Sequence, residues 1–230
     1  MATKSKKAKD DRLDDIINGL HQKSVTKQVI YRNTKATFDR MKEIAQDIVE
    51  ELTERVTKHD ADVVIEYTNI SEFEFHVKFS GDLLMFIMHT NIITFPEDYE
   101  LMRNEYIEED FRRRFFGHIM AYNFMADTIK YNRIDDPGYL VGRMLINIDR
   151  HFVIEGVKQM ELPYDRIAQN VINNKTLRLI IESAMVAAVN NDLMGQDVSD
   201  IERITLKQKH ENMISQPRKV GFRVSSTLTQ

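Results

Sequence analysis

Four histidines come first, because imidazole titrates near neutral pH and is the commonest side-chain metal ligand. His76, His89, His118 and His151 all fall on or beside segments that read as β-strands. If those strands pair suitably, two or three imidazoles converge with Glu74 or Asp149. Such a cluster would bind a metal ion or pass protons. His76, His89, His118 and His151 are therefore the candidate metal ligands. The plainer arrangement is four separate side chains, because spacing alone sets neither facing nor register.

The densest charge cluster is Glu108-Glu109-Asp110-Phe111-Arg112-Arg113-Arg114. Neighbouring carboxylates can hold a divalent cation, and adjacent arginines can grip a phosphate. Glu108, Glu109 and Asp110, with His118 or His151 as proton carrier, are thus the catalytic candidates of a metal-dependent hydrolase or nuclease. Opposite charges this close more often form a solvated, self-paired surface.

Several familiar chemistries have no residues to run on. Cysteine is absent, which removes thiol nucleophiles, disulfides, iron–sulfur clusters and cysteine zinc sites. None of the eight glycines forms G-x-G-x-x-G, and neither G-x-x-x-x-G-K-[ST] nor G-x-S-x-G occurs. No two of the seven histidines have the H-x-x-x-H spacing that puts two imidazoles on one helix face. The expectation is no cofactor and a non-enzymatic binding or assembly role, with the hydrolase as the alternative.

Charge and hydropathy narrow the partners. The formal net charge is −4, but the ends are basic. Residues 1–9 carry four lysines and no acid. Residues 207–230 carry Lys207, Lys209, Arg218, Lys219 and Arg223 against Glu211 alone. The acidic body repels a phosphate backbone, so nucleic acid or an acidic partner is expected only at the tails. No secretory h-region follows the first lysines, and no run approaches the ~20 apolar residues of a membrane helix. A cytoplasmic protein with no membrane contact is expected.

The elements that must position these residues follow from periodicity. Residues 1–9 and 207–230 read as flexible basic ends around a single α+β domain, 10–206. Residues 10–58 read as helical. Leu13, Ile16, Ile17 and Leu20 recur at helical spacing, and so do Phe38, Met41, Ala45, Ile48 and Leu52 over Ser24 to Lys58. Asn33 and Thr34 could cap a second helix and split the longer one. Phe38, Met41, Ile48 and Leu52 are the candidate interface with a second copy, which makes the chain itself the expected partner.

Residues 62–155 read mostly as strands. Asp62 to Tyr67 is one, and Phe73 to Phe79 alternates with Glu74, His76 and Lys78 on the polar face. Leu83 to His89 is apolar on both faces, as in a covered central strand. Ile92 to Phe95 extends it, and Pro96 fits the first turn of a helix. Residues 105–131 match both periods, and the aromatic content with Gly117 favours a strand from Phe115. Asp135-Asp136-Pro137-Gly138 is a turn, followed by strands over Leu140–Asn147 and His151–Glu155. Residues 164–206 read as helical again, with a wide apolar face over Leu177 to Ala188. The fold class is α+β: an antiparallel sheet of five or six strands, flanked by a long N-terminal helix and a buried C-terminal helix.

Residues 124–156, FMADTIKYNRIDDPGYLVGRMLINIDRHFVIEG, resemble a segment of conserved bacterial proteins with no assigned chemistry. The resemblance spans about a seventh of the chain. It implies no catalytic residues.

Overall fold

The structure, a computed structural model, describes residues 12–56, 58, 60, 62–156, 160 and 162–190, together with the backbone pairing of 193–194 with 218–219. The expected basic ends, 1–9 and 207–230, and a last helical stretch over 195–206 lie outside the described side chains.

The fold is α+β. Its helix α1, Thr26–Val56, follows on from helical residues 12–19 through a π-helical turn, Leu20–Val25. Ile30, Thr34, Phe38, Met41, Ala45 and Ile48 repeat every three or four residues and are buried, so one stripe of α1 lies against the sheet. Asn33 and Thr34 do not split it. The Thr34 hydroxyl donates to Ile30 O at 2.8 Å, and Asn33 Nδ2 donates to Ile148 O at 2.9 Å. Both polar side chains are thus satisfied without ending the helix.

Six strands form one sheet in sequence order: β1 Ile65–Ser71, β2 Glu74–Phe79, β3 Asp82–Ile93, β4 Phe116–Met125, β5 Tyr139–Ile146 and β6 Phe152–Gly156. Every neighbouring pair is antiparallel. The first strand begins at Ile65 rather than Asp62. β3 runs on to Ile93, so the stretch from Ile92 is part of it. Ser80, Asn132 and Arg150, all in turns, have positive φ. The strand expected from about Phe115 is β4, which pairs with β3 on one side and β5 on the other, so all six strands form one sheet.

Two expected helices give way to other structure. After Pro96 the chain makes short turns only: Glu100–Arg103, Glu105–Glu108 and Phe111–Arg114. Asn104 and Asp110 restart it, accepting from Tyr106 N at 3.1 Å and Arg112 N at 2.9 Å. Residues 164–172 run beside β6, with a single 3-10 turn at Ile167–Gln169, instead of starting the expected helix. Ile154 N donates to Tyr164 O at 2.9 Å and Phe152 N to Asn170 O at 3.0 Å. The helix α2, Asn174–Val189, starts only at a capping box in which Asn173 accepts from Lys175 N and Thr176 N.

Both α1 and α2 lie on one face of the sheet. The main core joins Phe38, Met41 and Ile48 of α1, Leu177, Ile180 and Ala184 of α2, and Phe75, Leu84, Phe86, Ile119 and Met144 of the sheet. A close approach permits this: a Cβ on Gly117 would stand 1.9 Å from Thr34 Oγ1, so α1 crosses β4 where only glycine leaves room. The opposite face carries a smaller cluster at one end, where Met102 and Ile107 from the turns meet Phe116, Leu145, Val153 and Ile167.

Candidate functional site

The register decides which candidates meet. On the face away from the helices, successive strands set residues side by side: Glu74, Ile87, Met120, Arg143 and Glu155 form one row. The next row pairs His89 with His118 and His118 with Leu145. Of the four strand histidines, these two come together. Their rings stack 4.5 Å apart with 24° between planes.

His118 is buried, and its Nδ1 has no hydrogen-bond partner among the described residues. Burial, the neighbouring His89 and the Arg143 guanidinium push its pKa down to about 4. It is therefore neutral at physiological pH. Beside it, Arg143 Nε donates to Glu155 Oε2 at 2.7 Å and its guanidinium lies 5.3 Å from the Phe95 ring centre. Tyr99 also donates to Glu155. Burial, and then the Glu155 carboxylate, push the Tyr99 hydroxyl up to about 12. This row is a closed set of charge-assisted bonds that pins the segment after β3 onto the sheet.

The other two histidines stand apart. His76 Nε2 lies 2.6 Å from Glu74 Oε1 on β2. The polar face expected for that strand is thus partly covered, since His76 is buried while Glu74 and Lys78 are half-buried. His151 Nδ1 lies 2.9 Å from Ile167 O, and its ring stacks on Tyr106 at 4.9 Å. Among the described residues no group of three or more histidine, aspartate or glutamate side chains is placed to hold a metal ion.

The acidic candidates have structural partners. Asp110 caps the turn Phe111–Arg114 and pairs with Arg112 at 2.7 Å, which holds its carboxyl below the usual range. Glu109 binds Arg113 at 2.9 Å, and Arg113 also binds Asp149 at 2.7 Å. The Tyr106 ring lies under Arg113 at 4.0 Å, and its hydroxyl donates to Asp149 Oδ2 at 3.0 Å. Glu108 is exposed. The cluster is therefore a self-paired knot, with Asn147, fully buried, donating to Tyr106 Oη at 3.1 Å. A void between the helices and the sheet, lined by Met41, Phe86, Ile119 and Ile180, holds about 20 Å³. That is room for one water, against ≈ 300 Å³ or more for a ligand site.

The candidate interface residues Phe38, Met41 and Ile48 are buried in the chain's own core, and Leu52 packs against that core. A different stripe is open. Leu13, Ile16, Ile17 and Leu20 stand 55, 59, 42 and 54% exposed. All residues of the helical stretch 12–25 are exposed. Its spacing was legible in the sequence; its lack of cover was not. Among the described residues no helix is long and apolar enough to cross a membrane.

Compared with protein-family models, curated proteins and solved structures, the chain matches none.

Proposed function

We propose that this protein is a non-enzymatic assembly module that associates with a second copy of itself through the helical stretch 12–25. The observation that carries this reading is the open stripe Leu13, Ile16, Ile17 and Leu20, all on one side of a helix that stands off its own sheet. Fourteen residues of helix extend about 20 Å at ~1.5 Å per residue. Each half-exposed aliphatic side chain leaves roughly 1 kcal/mol of burial unrealised. Four of them on each of two copies, with their flanking side chains, bring the contact to on the order of 1,000 Å², the lower bound for a specific interface. Asp14 and Asp15 near one end, with Lys23 near the other, add opposite charge within the same stretch. The metal-dependent hydrolase gains no support from the geometry, because two of its three acids, Glu109 and Asp110, are paired with arginines, and neither His118 nor His151 joins them.

Light scattering at micromolar concentration tests the reading. The wild-type protein should show a concentration-dependent mass above that of one chain. Replacing Ile16 and Leu20 by glutamate should return it to one chain while the circular dichroism stays that of a folded protein, since neither residue belongs to either apolar core. A wild-type mass of one chain at every concentration would overturn self-association.

A further inference from the structure

The two edges of the sheet are finished differently. Beyond β6 the chain doubles back, and the segment 164–172 occupies that edge through backbone bonds from Ile154 N and Phe152 N, and from Ile172 N to Arg150 O at 3.2 Å. A bridge between His151 and Val171 completes it. At the other edge β1 is exposed from Thr68 to Ser71 and at Glu66. Its ladder has a fixed phase. Ser80 N donates to Val64 O at 2.9 Å, in register with Glu66 opposite Lys78 and Thr68 opposite His76. In an antiparallel pair inward and outward residues alternate, so Ile65, Tyr67 and Asn69 turn their N–H and C=O groups away from the sheet. A row of such groups is a template for another strand.

We infer that β1 is a docking edge for an extended, lysine- and arginine-rich segment of a partner protein, added as a seventh strand. Charge selects the occupant. Between residues 51 and 82, eight carboxylates stand against Arg55, Lys58 and Lys78. Asp60, Asp62, Glu66 and Glu72 lie on β1 or at its two ends, against Lys42, Lys58 and Lys78, of which Lys42 is bound to Asn69 and Lys78 to Glu66. Two β1 edges brought together would oppose Glu66 and its acidic neighbours to themselves, which disfavours edge-to-edge pairing of copies. A basic strand satisfies the outward backbone groups and the carboxylates at once. Seven residues of β1 extend about 23 Å, and their three outward-facing residues can make three pairs of backbone bonds. This edge is separate from the helical stripe at 12–25, so either surface can fail without the other.

The test uses the full chain and a synthetic probe peptide of sequence KVRVKVR. The peptide should bind at low salt and lose about tenfold in affinity as salt is raised to 0.5 M. On binding, amide exchange should slow at Ile65, Tyr67 and Asn69 and stay unchanged at Glu66 and Thr68, whose amides are already in the ladder. Asn69→Pro removes one outward N–H without touching an inward one, and should weaken binding about tenfold. Glu66→Lys with Glu72→Lys should weaken it by a similar factor while the circular dichroism stays that of wild type, which covers the case in which the proline variant does not fold. The proposal is overturned if the same peptide, N-methylated at alternate residues, binds equally well. It is also overturned if exchange at the three outward amides does not change, or if a glutamate-for-lysine/arginine version of the peptide binds as tightly.

Discussion

The two faces of this sheet are made by alternate residues of the same six strands, yet they are stabilised in different ways. One face is apolar almost throughout and lies under α1 and α2, with the Phe75 ring between Phe38, at 5.3 Å, and Phe86, at 4.7 Å. The other, among the described residues, is covered by short helical turns only. Its rows mix Ile87 and Met120 with Glu74, His118, Arg143 and Glu155, and its cover is a set of short turns held down by side-chain bonds. Burial of hydrocarbon is non-directional and sums over area, so the first face is insensitive to fine geometry. Charge-assisted bonds are directional, and each depends on its partner remaining in place. The comparison teaches that a single strand register can set a packing surface and a polar network back to back.

Phe86→Ala is the sharpest way to break the comparison. Phe86 is 1% exposed, and truncation should cost about 3–5 kcal/mol in urea denaturation. A loss below about 1 kcal/mol would mean that the helix-covered face is not the main core.

The next largest effect belongs to His118 on the opposite face. Its pKa is about 4 in the folded chain and the ordinary 6.5 in the unfolded one, so between these values the unfolded state binds more protons. Stability should therefore fall as pH drops from about 6.5 towards 4, by on the order of 2–3 kcal/mol, and this contribution should flatten below 4. His118→Phe should remove that slope and leave stability at pH 7 equal or higher, since a buried unpaired nitrogen goes with it. An unchanged slope in the variant would show that His118 does not titrate as its surroundings dictate.

Arg143→Met should cost about 1–3 kcal/mol, because Glu155 loses its cation while Tyr99 still holds it. Amide exchange should quicken over Tyr99 to Arg103 and stay the same in α1. Equal loosening of both would erase the distinction between a pinned face and a packed one. Lys78→Ala should move stability by no more than about 0.5 kcal/mol, because its bond to Glu66 is exposed to solvent.

Much of the fold was legible in the residues. The alternation Phe73 to Phe79 and the doubly apolar run Leu83 to His89 set a buried meander, and Phe75 and Phe86 lie where that pattern puts them. The apolar spacing from Ile30 to Ile48 gives α1, and Leu177 to Ala188 gives α2. What failed was local competition. The run after Pro163 carries no strand alternation, yet it runs along β6 because that edge offered backbone groups to satisfy. The turns after Pro96 replaced a helix because Asn104 and Asp110 cap the following turns and interrupt any longer one.

The candidate sites were legible only as residue types. Four strand histidines could be named from the sequence, but only pairing could show that His89 faces His118 while His76 turns to Glu74 and His151 to Ile167. A register shift of one residue would have sent each to the other face. Likewise both helical stripes, at Leu13–Leu20 and at Phe38–Leu52, show apolar residues at helical spacing in the sequence. Which of them a sheet covers depends on where the chain crosses it, and that crossing is set at Gly117 under Thr34. By itself, then, the sequence determined the two long helices, the main strands and their apolar faces, because periodicity is local and a few residues fix it. The tertiary structure alone decided which polar groups pair, which edge is closed and which stripe stays open, because each depends on contacts between residues distant in the chain.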